Sequence, residues 1–225
     1  LVTGKLNIAA ATIRSLVDAG LIEVTEENVY RKPVLKSDLS GKDGAAKQLS
    51  AEQQAVVDAI SQDCSQGISQ TYLLRGITGS GKTEVYMALI ERMIAGGKQA
   101  IVLIPEIALT YQTLLRFYLR FGDRVSVMNS RLSPGERSDQ YERAAKGEID
   151  IMIGPRSALF TPFERLGLVI IDEEHESSYK SETMPKFHAR EVAQELCRMK
   201  HASLLLGSAT PSLESYYRAR QGEIP

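Results

Sequence analysis

The stretch 75-RGITGSGKTEVY-86 spaces Gly76, Gly81, Lys82 and Thr83 as GxxxxGKT, a pattern whose glycines allow successive backbone N–H groups to turn toward phosphate oxygens. The flanking residues sharpen the reading. Ahead of it, TYLLRG (Thr71 to Gly76) is a short apolar run ended by glycine; behind it, TEVYMALIERMIAG (Thr83 to Gly96) carries apolar residues at helical spacing. Strand, loop and helix in that order are what a phosphate loop requires. A helix beginning near Lys82 adds unpaired first-turn N–H groups and the positive end of its dipole. The expectation is a phosphate and Mg²⁺ site. Gly76, Thr78, Gly79, Ser80 and Gly81 would form the cradle, Lys82 would reach the β and γ phosphates, and Thr83 would place its hydroxyl on the metal. A glycine-rich turn ahead of an ordinary helix is the competing reading.

From Leu49 onward, apolar strand candidates alternate with helical patterns: TYLLRG, QAIVLIP, RVSVMN, IDIMIG, LGLVIID and ASLLLG. The alternation predicts an α/β domain, a mainly parallel sheet covered on both faces. Ligands of such sheets collect at the carboxyl ends of the strands, and the strings found there are PEIALT, GPRSALF, EEHESSY and SAT. LVIIDEEH puts Asp172 and Glu173 at the exit of a buried strand. Asp172 suits a Mg²⁺ carboxylate, and Glu173 suits a group that orients or deprotonates an attacking water. A solvated pair of strand-end acids is the alternative.

Upstream, Leu6 to Ala19 places Ile8, Thr12, Ile13, Leu16 and Val17 on one helical face, with Gly20 positioned to stop the helix. The strand-like runs LIEVT and NVYRKPV follow. Residues 1–36 therefore read as the C-terminal part of a winged-helix module, either DNA-inserting or a structural remnant. Residues 37–48, within SDLSGKDGAAK and its flank, read as a linker, and 49–225 as a second domain. With no starting Met and a close at QGEIP just after a helical pattern, the chain is expected to be a piece of something longer.

Composition narrows the classes. The chain has 225 residues, 43% of them hydrophobic and 24% charged, as in ordinary globular proteins. Its 27 basic and 28 acidic side chains leave a net charge of −1, so any nucleic-acid contact must come from local surfaces. Cys64 and Cys197 are far apart, without CxxC or histidine partners at ligand spacing, which argues against a zinc site and for neutral thiols. No apolar run approaches the roughly 20 residues of a membrane span, and a cytoplasmic location is expected. His201 carries no motif and reads as a surface or capping histidine.

GITGSGKT, DEEH (Asp172 to His175) and GSAT (Gly207 to Thr210), in this order on one α/β domain, resemble motifs I, II and III of superfamily 2 helicases. LIPEIALT (Leu103 to Thr110), GPRSALFTPF (Gly154 to Phe163), DEEHESSYK, FHAR (Phe187 to Arg190) and GSATPSLES narrow the resemblance to the primosomal replication-restart helicases. It covers nearly the whole chain, as the end of a winged helix and a first RecA-like lobe. The resemblance implies an ATP-dependent 3′ to 5′ DNA helicase of replication restart. It also implies that Gln53, in LSAEQQAV, reads the adenine edge, with a helix-surface amide as the alternative. Ser208 and Thr210 would couple nucleotide state to DNA, or else cap a helix. Pro105, Glu106, Arg156 and Ser157 would line a single-strand track, Arg156 being either a phosphate contact or a solvated charge. The stretch Ser177 to His188 resembles the family's aromatic-rich, DNA-sensing loop, with Tyr179, Lys180, Phe187 and His188 as candidate contacts and helix-face packing as the alternative.

The implied partners are single-stranded and forked DNA, other primosome proteins and single-strand binding protein, in a bacterial, nucleoid-associated setting with no membrane. The family's zinc-binding cysteines lie downstream of the matched region, so zinc is expected only there, as are a second lobe and its arginines. Tyr111, Asn129 and Tyr141 stand where the family usually has Pro, His and Trp, which puts local DNA-facing details in doubt. Another superfamily 2 translocase, a P-loop kinase and a nucleotide-gated interaction module are the competing functions; DEEH and GSAT argue against the kinase.

Overall fold

The first helix, α1 (Ala10–Asp18), ends at a glycine, as its sequence predicts. Gly20 takes a left-handed φ of 66°, and the N–H groups of Gly20 and Leu21 return to the carbonyls of Val17 and Leu16, satisfying acceptors that the helix end would leave open. The chain divides into two compact units, Leu1–Tyr30, which contains α1, and Arg31–Pro225. The structure, a computed structural model, describes residues 9–23 and 48–225. The hairpin and linker expected after α1 fall almost wholly within residues 24–47, outside the described residues.

From Leu49 onward every expected strand forms: β1 (Thr71–Arg75), β2 (Gln99–Leu103), β3 (Val125–Val127), β4 (Ile151–Gly154), β5 (Leu166–Asp172) and β6 (Ser203–Ser208). They build a six-stranded sheet in the order β1-β6-β5-β2-β4-β3, and every pairing is parallel. Parallel strands need a crossover between them. Helices α2 (Ala51–Ser65), α3 (Lys82–Ala95), α4 (Tyr111–Phe121), α5 (Pro134–Ala145), α6 (Ala189–Lys200) and α7 (Leu213–Arg220) complete the unit.

Side chains alternate between the faces of each strand, so the sheet feeds two cores. Ala100, Val102, Ile170 and Leu205 pack with Val57 of α2, Leu89 of α3 and Phe117 of α4. Ile101, Leu103, Val169, Ile171 and Leu206 face the other way, against Ala144 of α5 and Ala193 and Cys197 of α6. Each fully buried aliphatic side chain contributes about 1.5–3 kcal/mol. The sandwich is thereby held from both sides, with the carboxyl ends of all strands on one edge. At the outer side of β1, Leu73 donates its N–H to the carbonyl of Pro225 at 2.8 Å.

Helix starts are locally encoded. Ser50 and Gln53 form a capping box on α2, and Ser133 and Glu136 form one on α5 with Pro134 in its first turn. Thr110, His188 and Ser212 cap α4, α6 and α7 through side-chain acceptors. Among the described α-helices of this unit, α3 alone begins without a side-chain cap, at the left-handed Gly81. His201 ends α6 in the left-handed region, φ 52°, one of the two roles expected of it. No helix of the described residues is long and apolar enough to cross a membrane.

Burial pushes the Cys197 thiol up to about 12. Relative to an ordinary thiol near pH 8, that lowers the thiolate fraction about a thousandfold. A disulfide reagent at pH 8 is expected to modify Cys197 only as fast as the domain opens. Reaction at the rate of a free thiol in the native state would contradict the packing of α6 on the sheet.

Candidate nucleotide-binding site

Two of the loop glycines have the left-handed conformation the sequence suggested, Gly79 at φ 81° and Gly81 at φ 82°. A Cβ on Gly81 would also strike the Gln53 side chain. Gly76 is different. Its N–H is spent on the Ser208 carbonyl at 3.1 Å, so it adds no donor to the cradle; it is a close-approach position, where a Cβ would run into the Ser80 hydroxyl. Gln53 is not a plain helix-surface amide. Its Oε1 accepts from the Ser50 N–H, and its Nε2 donates to the Ser80 carbonyl at 2.8 Å, tying the start of α2 to the phosphate loop.

Lys82 is 9% exposed. Its Nζ donates to the Gly76 carbonyl at 2.9 Å and lies 3.5 Å from Glu173 Oε1. A pocket of about 570 Å³ opens above the start of α3, lined by Gln53, Thr78 through Thr83, Asp172 and Glu173, with Gln48, Glu84 and Arg116 on its flanks. Glu84 is held by Arg116 at 2.6 Å and by Arg120 at 3.3 Å. Phosphate oxygens need donors and positive charge; the unshielded helix start, Lys82 and the left-handed glycines supply them. A divalent cation needs hard oxygen ligands, and Thr83, with its hydroxyl, and Asp172, with its carboxylate, both line this pocket. The residues present therefore fit a nucleotide with a metal ion.

Asp172 is gripped from both faces of the sheet. The Tyr86 hydroxyl donates to Asp172 Oδ1 at 2.9 Å, and the Tyr179 hydroxyl donates to the Asp172 main-chain carbonyl at 2.7 Å. Burial raises the Asp172 carboxyl above its ordinary range, an effect the Tyr86 hydrogen bond opposes. Burial, and then Asp172 itself, drive the Tyr86 phenol well above its usual range, so it keeps the proton it donates. Glu173 adopts φ 47°, a conformation that costs a residue with a Cβ about 1–2 kcal/mol. That turn separates the two glutamates that follow Asp172.

Glu174 points inward with 0% side-chain exposure. It accepts from the Ser212 N–H at 2.6 Å, from the Ser212 and Ser215 hydroxyls, and from Arg190 Nη1 at 3.2 Å. Sequence reading missed this network, although Arg190 lies in FHAR and both serines lie in or beside GSATPSLES. Cap duty for α7 falls to Ser212, which removes the capping alternative for Ser208 and Thr210. His175, also missed, joins them instead: its Nδ1 is 2.8 Å from Ser208 Oγ, its Nε2 is 3.4 Å from Thr210 Oγ1, and Glu173 Oε2 lies 3.7 Å from Nδ1. This chain of polar contacts runs from the pocket wall to the end of β6.

A second cavity, about 400 Å³, crosses the carboxyl edge beside β2, β3 and β4. Pro105, Glu106, Arg156 and Ser157, expected together, all line it. Arg137 lines it too and adds a second cation that no motif announced. Of the three departures from the family pattern, Asn129 lines this groove, Tyr141 donates to the Ser157 carbonyl at 3.4 Å, and Tyr111 is 50% exposed. Arg156 is not a free solvated charge: its Nη1 donates to the carbonyls of Ser178 at 3.2 Å and Lys180 at 2.6 Å.

The loop expectations need two corrections. Tyr179 is 1% exposed, because its ring fills the core beneath the loop while its hydroxyl serves Asp172; no face is offered to a base. His188 spends Nδ1 as the acceptor that caps α6, and burial lowers its pKa. Lys180 stays exposed, bridging antiparallel to His188. Phe187 meets the half-exposed Phe160 edge to face, with centroids 5.6 Å apart.

With this geometry in place, comparison with known proteins gives a consistent result. A sequence profile described as "DEAD/DEAH box helicase" matches residues 50–219. The chain is 47% identical over 218 residues to "Replication restart protein PriA" of Bacillus subtilis (strain 168), covering 97% of this chain and 27% of that protein. It is 51% identical over 172 residues to the protein of the same name from Chlamydia trachomatis serovar D, covering 76% and 23%. Among solved structures it resembles "Structure of RecG bound to three-way DNA junction", with a TM-score of 0.60 and 25% identity over 80% of this chain and 23% of that one. The chain spans about a quarter of the length of the curated relatives it matches.

Removing one member of a buried charge pair leaves the other unmatched, at a cost of about 3–5 kcal/mol. Glu174→Ala is expected to lose stability on that scale in denaturant unfolding. A loss under about 1 kcal/mol would show that the network is not what holds α7 to the strand end.

Proposed function

The chain belongs to the DEAD/DEAH box helicase family, and from that premise we propose that residues 49–225 are the first RecA-like motor lobe of an ATP-dependent DNA helicase acting in replication restart. Residues 1–36 would be the end of a winged helix and 37–48 a linker. The observation that carries the reading is the uncapped start of α3, led by the left-handed Gly79 and Gly81, in a pocket that Asp172 and Glu173 also line. The relatives named for replication restart support the biological setting.

In this reading Lys82 exchanges the Gly76 carbonyl for the β and γ phosphates. Glu173, held beside Lys82 by its left-handed turn, orients or deprotonates the attacking water. Thr83 and Asp172 would hold a Mg²⁺ bound with ATP, and that ion would supply charge neutralisation. His175 links Glu173 to Ser208 and Thr210, which would pass nucleotide state toward bound DNA.

Single-stranded DNA would follow the groove of Pro105, Glu106, Arg156 and Ser157, with Lys180 and Phe187 at the loop beside it. DNA that displaced Arg156 from the Ser178 and Lys180 carbonyls would loosen the segment whose Tyr179 holds Asp172. Movement would be 3′ to 5′, on forked DNA, in the bacterial cytoplasm and at the nucleoid, with other primosome proteins and single-strand binding protein as partners. A second lobe would supply arginines to the γ phosphate, and zinc would belong to downstream sequence.

Lys82→Ala is expected to weaken Mg·ATP binding at least tenfold by calorimetry, since it deletes the cation nearest the phosphates; equal affinity would overturn the assignment. In the full-length protein, Glu173→Gln should retain ATP yet lose about 10²–10⁴ in turnover. Phe187→Ala should leave ATP hydrolysis without DNA near wild type while cutting its stimulation by single-stranded DNA about tenfold, on the scale of one stacked base. Full stimulation at saturating DNA would assign Phe187 to packing against Phe160 alone.

A further inference from the structure

Lys82 and Tyr86 are four residues apart on α3, hence on one helix face, and the pair of acids they meet is consecutive. Lys82 Nζ lies 3.5 Å from Glu173; the Tyr86 hydroxyl lies 2.9 Å from Asp172 Oδ1. Tyr86 is 1% exposed, so a phenylalanine would fill the same volume without a polar atom to satisfy. The hydroxyl also constrains a third segment. At Gly207, in β6, a Cβ would be built directly onto the Tyr86 hydroxyl oxygen, with the ring carbon Cζ 2.9 Å away. Only a residue without a side chain lets the phenol pass between β6 and the carboxylate. The neighbouring Ser208 receives the Gly76 N–H and contacts His175, so the phenol sits where the phosphate loop, the acidic strand end and β6 converge.

We propose that Tyr86 is a positioning residue for the metal–nucleotide site: its hydroxyl fixes the orientation of the Asp172 carboxylate, and Gly207 is glycine so that it can. The inference rests on the reading of Asp172 as the metal-facing acid. A hydrogen bond to a charged acceptor is among the stronger ones in a protein. Without it the buried carboxylate loses the donor that opposes its desolvation and is free to turn. The consequence is specific to the cation. Lys82, the left-handed glycines and the start of α3 are untouched, so contacts to the phosphates persist.

The test uses the full-length protein and Tyr86→Phe, which keeps the ring. Binding of fluorescent ADP is measured in EDTA and then along a Mg²⁺ titration, with circular dichroism confirming the fold. Affinity in EDTA is expected to stay within about twofold of wild type, while the Mg²⁺ concentration for half-maximal effect rises about tenfold or more. Mn²⁺, which nitrogen and oxygen sites generally bind more tightly than Mg²⁺, should recover part of the loss. Gly207→Ala should raise the Mg²⁺ requirement as well, and by less in the Tyr86→Phe background, where the struck oxygen is gone. Superimposable Mg²⁺ titrations for wild type and Tyr86→Phe, with Mg²⁺ tightening ADP binding in both, would overturn this inference and leave the nucleotide site standing. No Mg²⁺ effect on nucleotide binding by the wild type would overturn both.

Discussion

An all-parallel sheet buried on both faces leaves its polar business to one edge. Six strands whose side chains are consumed by two cores can present functional groups only where they end. Every strand here points the same way, so the phosphate loop after β1, the acids after β5 and the Ser208 segment of β6 arrive side by side. The strand order makes this contact direct: β6 lies between β1 and β5, and β5 beside β2. The nucleotide pocket is lined from the ends of β1 and β5, and the groove from those of β2, β3 and β4.

Asp172 is the point at which the parts of this edge lock together. A carboxylate at the end of a buried strand is destabilised by lost hydration, and each stabilising contact comes from a different element. Tyr86 reaches it from α3 on one sheet face; Tyr179 reaches its carbonyl from the other. Arg156 in turn holds the carbonyls on either side of Tyr179. Cavity and groove are thus joined through two hydrogen-bond layers and one buried ring. The left-handed turn at Glu173 then directs the next acid toward Lys82 while sending Glu174 inward to Arg190, Ser212 and Ser215.

The sheet and the phosphate loop were legible in the sequence because both are local signals. Six apolar runs became six strands, and GxxxxGKT fell between the first strand and its helix. The end of α1 at Gly20 was equally readable. What could not be read depended on contacts between distant segments. Nothing local distinguishes Tyr179 as a buried strut from Tyr179 as an exposed platform, since aromatic rings suit both places. Gly76 looks like Gly79 and Gly81 in the motif, yet its role is set by Ser80 and Ser208. Glu174 and His175 lie inside DEEH, but their roles are set by partners from α6, α7 and the end of β6. Arg137 came to the groove from the polar face of a helix that carries no motif.

The central claim, that the uncapped start of α3 is a phosphate site facing two acids, is tested most directly by a crystal structure of the protein with ADP and Mg²⁺. The β phosphate should lie against the N–H groups at the start of α3. Lys82 Nζ should have left the Gly76 carbonyl for a phosphate oxygen at about 3 Å, and the metal should lie between Thr83 and Asp172. Phosphates seated elsewhere, with Lys82 still on Gly76, would contradict it.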